Sequence, residues 1–111
     1  MTSITVTVED DDGSEVGWFV QLLSWAPNDV HLIVHDLKFV GEHDKKFHFS
    51  SADLPSGEYG LRLALQGPGR KVGASVTSPS AIFYPAGKSW PLSLKVPTTT
   101  TQTSNTWFFR T

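Results

Sequence analysis

In residues 47–65, FHFSSADLPSGEYGLRLAL, two apolar runs of period two flank a short turn. Phe47 and Phe49 point to one face of an extended segment. Tyr59, Leu61, Leu63 and Leu65 repeat at every second position, with Glu58, Gly60, Arg62 and Ala64 between them. Both runs read as strands with one buried face. Between them, Pro55 fixes φ near the value a turn requires, and Gly57 tolerates the positive φ that a Cβ resists. The chain is expected to turn there and to re-enter a sheet at Tyr59. The spacing of Leu54, Gly57 and Tyr59 matches sandwich domains in which a tyrosine at the start of a central strand hydrogen-bonds back to the preceding corner. The competing reading is a tyrosine that fills core beside a generic turn.

The same period recurs on either side. Ile4, Val6 and Val8 alternate with Thr5 and Thr7, and Glu9, Asp10, Asp11, Asp12 and Gly13 then read as a solvated acidic turn. Residues 16–23 place Trp18, Val20 and Leu22 on one face and Phe19, Gln21 and Leu23 on the other, which predicts a central or covered strand. Val30, Leu32 and Val34 predict a further buried face, with His31, Ile33 and His35 opposite. Residues 37–40, 72–76, 81–84 and 92–96 are additional strand candidates. Residues 41–45, 66–71 and 85–88 are turns, and Pro79 marks an edge or a bulge. No internal repeat and no helix signal longer than one turn is evident. The fold class expected is all-β, an immunoglobulin-like antiparallel β-sandwich of about seven to nine strands. Residues 1–97 would form its body. Residues 98–111, a threonine-rich segment and an aromatic C-terminal strand, would pack on the same domain or on a second copy.

Charge excludes some partners. Nine Lys and Arg against eleven Asp and Glu give a net charge of −2, and the pI is near 6.0. That balance offers no basic field for nucleic acid and no polybasic face for an anionic membrane, so neither partner is expected. There is no cysteine, hence no disulfide and no thiolate metal site. No run approaches the ~18 consecutive apolar residues of a membrane span, and the N-terminal stretch is β-patterned instead of carrying an apolar signal core. A soluble domain is expected, secreted and cytoplasmic locations both remaining open.

The ionisable residues give weak chemistry. Four adjacent carboxylates invite calcium, but the run lacks the spacing of an EF-hand loop and its closing glutamate. His31 and His35 lie about 13 Å apart along a strand, too far to share one ion without a bulge. His48 or His43 would have to approach them through the tertiary fold to make a zinc site, the basis for an alternative reading as a histidine-dependent metal-binding protein or hydrolase. No Gly-x-Ser-x-Gly elbow and no His-Glu-x-x-His motif occurs, and Asp36 and His35 leave opposite faces of a strand. A triad of Ser24, His31 and Asp36 has no support in the spacing. The chain is therefore not read as an enzyme, and no catalytic residue, metal ligand or cofactor is assigned.

The aromatic residues are better candidates. Trp25 adjoins a proline-containing loop, Trp90 stands before Pro91, and Trp107, Phe108 and Phe109 follow a threonine tract. Rings pack on sugar faces and supply binding hot spots. Trp25, Trp90, Trp107 and Phe108 are accordingly the candidate contacts of a non-catalytic binding or accessory module whose partner is a glycan or a protein. The alternative is a self-associating structural or lectin-like homo-oligomer that uses the aromatic tail.

The order VEDDDGSEV, FHFSSADLPSGEYGLRL and SPSAIF resembles immunoglobulin-like and fibronectin-type sandwiches. Within these it is similar to the Kre9/Knh1-like N-terminal domains of fungal cell-wall proteins and to transthyretin-like carboxypeptidase regulatory domains. In the cell-wall group a Pro/Leu-x-x-Gly-x-Tyr strand is followed by a Ser-x-x-Phe strand, and Leu54, Gly57, Tyr59, Ser80 and Phe83 fall in those places. The threonine tract suits that group's Ser/Thr-rich region. Length, absence of cysteine and sandwich pattern also resemble the fungal immunomodulatory proteins, which implies a dimeric, lectin-like protein. These resemblances imply a fold more than an activity.

Overall fold

The computed structural model describes residues 2–11, 17–25, 31–77 and 80–111. Among them are ten strands: β1 (Thr2–Asp10), β2 (Trp18–Trp25), β3 (Leu32–His35), β4 (Lys38–His43), β5 (Lys46–Leu54), β6 (Glu58–Gln66), β7 (Lys71–Val76), β8 (Ala81–Tyr84), β9 (Leu92–Lys95) and β10 (Gln102–Arg110). They form two five-stranded sheets in the orders β4-β5-β1-β7-β9 and β3-β2-β6-β10-β8. All pairings between neighbours are antiparallel. The fold is an all-β sandwich, compatible with an immunoglobulin-like domain. The described residues form ten strands where about seven to nine were expected, and Asp36 and Leu37 separate β3 from β4, which belong to different sheets. No helix of the described residues is long and apolar enough to cross a membrane.

Alternating side chains of the two sheets close over one core. Ile4, Val6 and Val8 of β1 and Val72, Ala74 and Val76 of β7 meet Leu22 of β2, Leu61, Leu63 and Leu65 of β6, and Trp107 and Phe109 of β10. Burying each large side chain contributes about 1.5–3 kcal/mol, which is how period-two patterning becomes a folded body. The C-terminal stretch is one of the central strands: β10 pairs with β6 from Gln102 to Arg110 on one side and with β8 on the other.

At the corner between β5 and β6, the Tyr59 hydroxyl donates to the Pro55 carbonyl oxygen, so the tyrosine-corner reading holds. Gly57 is not among the glycines with positive φ. Its N–H instead donates to Thr111 Oγ1 at 3.0 Å, and its carbonyl accepts from the Thr111 N–H at 2.9 Å. The positive φ appears in the β4–β5 hairpin, at Asp44 (51°) and Lys45 (65°). Two such central residues suit the right-handed twist of the flanking strands. The turn expected at residues 41–45 is thus shortened, with β4 running on through His43.

Two expectations are corrected. Glu9 and Asp10 do not lie in a solvated turn: β1 continues through them, and Asp10 points inward, fully buried, in an ion pair with Arg70. Arg70, at the end of the 66–71 turn, supplies the charge that a buried carboxylate requires. Residues 12–16, which include Asp12 of the acidic run considered for calcium, lie outside the described residues, as do 26–30 and 78–79, Pro79 included. The second correction concerns β3, where Leu32 and Val34 are each 55% exposed instead of forming a buried face. β3 is an edge strand with β2 on one side only, and its Leu32/Val34 face is turned away from the core.

Candidate functional site

The outer face of the β3-β2-β6-β10-β8 sheet receives the side chains that the core does not. On β2 these are Phe19, Gln21, Leu23 and Trp25, alternating with the inward Trp18, Val20 and Leu22. On β10, Thr106, Phe108 and Arg110 alternate with the inward Trp107 and Phe109. Strand register sets one line of residues across the sheet, in which Val34 is opposite Leu23, Leu23 opposite Gly60, Gly60 opposite Phe108, and Phe108 opposite Tyr84.

Gly60 is the position in that line without a side chain. A Cβ there would lie 3.3 Å from Phe108 Cε1 and 3.4 Å from Cδ1, so the glycine leaves room for the Phe108 ring against the strand backbone. Trp25 meets that ring from the β2 side, with centroids 5.3 Å apart and planes at 31°. Tyr84 and Phe83 meet it from the β8 side at 6.0 and 6.4 Å. The register shift in the β8–β10 pairing between Phe108 and Phe109 lets both β8 rings reach Phe108. The result is a continuous aromatic row across the sheet, from Trp25 through Phe108 to Tyr84.

Polar groups flank the row. Two residues further along the strands, Gln21, Arg62 and Thr106 line up. Arg62 donates to Gln21 Oε1 at 3.2 Å, and its guanidinium lies 5.6 Å from the Phe19 ring centroid. At the other margin Arg110 sits 4.0 Å over the Phe83 ring and donates to Glu58 Oε1 at 3.0 Å. Gln21, Leu23, Trp25, Leu32, Val34, Arg62, Thr106 and Phe108 line an open depression of about 620 Å³. That is within the size range of small-molecule sites, and it combines an apolar floor with a few hydrogen-bonding groups.

The structure brings Trp25 and Phe108 together on this face, with Trp25 40% exposed. It separates the other two candidates from them. Trp107 faces the core and is 3% exposed. Trp90 is partly buried at the end of the sandwich, its ring edge-on to Phe109 at 5.6 Å and its indole N–H donating to Ser80 Oγ at 3.0 Å. Sequence reasoning missed Gly60, Tyr84, Phe83, Phe19 and Arg62. The available signal was the outward period of β2 continuing to Trp25, together with a glycine set among the leucines of β6.

The histidines are distributed over both sheets. His48 Nδ1 is 2.9 Å from Thr7 Oγ1 on the β1–β5 pair. His43 lies 3.4 Å from Asp44 in the exposed β4–β5 turn, and His31 precedes β3. Among the described residues no group of three or more His, Cys, Asp or Glu side chains could hold a metal ion. His35 Nε2 is 2.6 Å from Ser24 Oγ, a contact that links β3 to β2, and its ring is edge-on to Tyr59 at 5.9 Å. Ser24 does pair with a histidine, then, but with His35 and not with His31. Among the described residues no carboxylate is hydrogen-bonded to the His35 ring, so the orienting member of a nucleophile triad is not seen there. Burial pushes the Tyr59 hydroxyl above its ordinary pKa, but that group belongs to the corner and not to the aromatic row.

No family model matches the chain, and neither a curated protein nor a solved structure is significantly similar to it.

Proposed function

We propose that the protein is a non-catalytic binding module that receives a glycan on the outer face of its β3-β2-β6-β10-β8 sheet. The observation that carries this reading is the Trp25–Phe108–Tyr84 row, laid against a strand by the missing side chain of Gly60. A sugar ring presents an apolar C–H face and a rim of hydroxyls. The row offers rings to the first, and Arg62, Gln21 and Thr106 offer donors and acceptors to the second. The sheet holds these groups before any ligand arrives, which keeps the ordering cost of binding low. A second reading, a protein partner on the same face, is supported by the apolar wall of Leu32 and Val34 beside Trp25. The resemblance to fungal cell-wall domains stays within the first reading as a proposal, supported by the Tyr59 corner bond and by Phe83 at the aromatic row.

A glycan array probed with the labelled wild-type protein and with Trp25→Ala tests the proposal. The expected result is retention on one class of oligosaccharide, lost in Trp25→Ala. Retention unchanged by Trp25→Ala, or no retention on any glycan, overturns it. In the latter case, capture of a purified partner protein in a Trp25-dependent manner would favour the second reading.

A further inference from the structure

Past the aromatic row, the same outer face continues along the strands. Gln21, Arg62 and Thr106 are opposite one another, then Phe19, Ala64 and Ser104, and at the end Gln66 and Gln102. From Gly60 to Gln66 on β6 this is about 20 Å of extended chain. A second open depression of about 540 Å³ lies here, with Phe19, Gln66, Gln102, Thr103 and Ser104 in its lining. It has a ring of its own, since Phe19 is 47% exposed, and the side chains opposite that ring, Ala64 and Ser104, are small. Arg62 is the one described residue that lines both this depression and the one beside Trp25.

The charges of the face single out the same residue. Its outward strand positions carry Glu58, Arg62 and Arg110 as their charged side chains. Glu58 and Arg110 satisfy each other in an ion pair. Arg62 is half-buried, donates to the neutral Gln21 amide and lies beside the Phe19 ring, and among the described residues no carboxylate pairs with it. A guanidinium has five N–H donors in a planar fork, and the group that matches that fork in both shape and charge is a carboxylate. The net charge of −2 gives the chain no general attraction for polyanions, so recognition of an anion would be local to Arg62.

We infer that the glycan received on this face is acidic: a uronic-acid oligosaccharide that spans both depressions and sets a sugar carboxylate on Arg62. The inference rests on the glycan reading and adds to it the second depression and the anionic group. One sugar ring lies on the Trp25–Phe108 side and another at Phe19, with Arg62 between them. Neutral oligosaccharides still meet the rings, but they leave the Arg62 charge unmatched and bind more weakly.

Isothermal titration with tetramers of α-1,4-galacturonate and of β-1,4-mannuronate, each against its own methyl ester, tests the inference. Esterification removes the charge and keeps the sugar, the linkage and the length. The wild type should bind the acid of at least one pair about tenfold more tightly than its ester. That comparison needs no variant. Arg62→Gln should abolish the difference, whereas Lys95→Gln, which removes a like charge from an exposed position on the other sheet, should keep it. Phe19→Ala should weaken binding of the acidic tetramer. In both pairs an ester bound as tightly as its acid overturns the inference and leaves the glycan reading standing. A preference for the acid that survives Arg62→Gln, a tetramer affinity untouched by Phe19→Ala, or binding of neutral oligosaccharides alone does the same. No binding of any glycan, acidic or neutral, overturns both.

Discussion

The ring of Phe108 on β10 lies against Gly60 of β6, close enough that a Cβ on Gly60 would stand 3.3 Å from Phe108 Cε1 and 3.4 Å from Thr106 Cγ2. A position that would otherwise carry one more outward side chain in the middle of a sheet instead seats an aromatic ring. Trp25 and Tyr84 reach that ring from the two neighbouring sides.

This relationship separates stability from binding. Gly60→Ala restricts the unfolded chain, an effect of about 0.4–1 kcal/mol, and asks the Phe108 ring to shift by a few tenths of an ångström. Its net effect on the urea midpoint is expected to be small. Gly60→Val adds bulk that the ring must leave room for, which breaks the aromatic row. Glycan affinity should fall at least tenfold in Gly60→Val, and less in Gly60→Ala, as read by titration of each folded variant.

The bond from the Tyr59 hydroxyl to the Pro55 carbonyl ties β6 to the corner before it. Tyr59→Phe keeps the ring packing against Phe109 and His35 and removes only this bond. Urea unfolding should show a loss of about 0.5–1.5 kcal/mol. No measurable loss would mean that the corner is held by the Gly57–Thr111 contacts alone.

The same residue predicts a pH dependence. Burial raises the Tyr59 pKa above its ordinary value of 10.0. The folded protein therefore retains a proton that the unfolded chain releases, and the associated stability is fully present below pH 10 and lost as pH rises through the folded value. The stability advantage of wild type over Tyr59→Phe should be constant up to about pH 10 and shrink above it. An advantage that persists unchanged into strong alkali would contradict the assignment.

Asp10 and Arg70 form a buried pair, the carboxylate side chain 1% and the guanidinium side chain 19% exposed. Arg70→Met keeps most of the aliphatic stem but leaves the carboxylate in the core without this counter-charge, at an expected cost of about 3–5 kcal/mol. Adding Asp10→Asn should recover part of that loss, because the residual charge is then removed. Thermal unfolding of the two single variants and the double variant checks this. Equal destabilisation by independent, additive amounts would show that the pair is not coupled.

The residues that declared themselves in the sequence were those whose environment follows from their own strand. Leu61, Leu63 and Leu65 alternate with smaller or polar residues, and that period alone assigns them to a core face. Leu32 and Val34 have the same period yet are exposed, because burial of a strand face depends on which sheet position it occupies, and no local pattern states that β3 is an edge. Asp10 was misread for a related reason: its partner Arg70 is sixty residues away, and only the β1–β7 pairing brings the two together. Of the candidate site, Trp25 and Phe108 were legible as aromatics without an evident core role. Tyr84 and Gly60 were not, since their importance arises from cross-strand register.

The most direct test of the central claim is a two-dimensional NMR titration of the ¹⁵N-labelled protein with neutral oligosaccharides, followed at the backbone amides and the indole N–H groups. Saturable shifts are expected to concentrate at Trp25, Gly60, Arg62, Phe108 and Tyr84, while the Trp90 and Trp107 indole signals remain in place. Shifts confined to the β4-β5-β1-β7-β9 sheet, or no shift with any glycan, would contradict it.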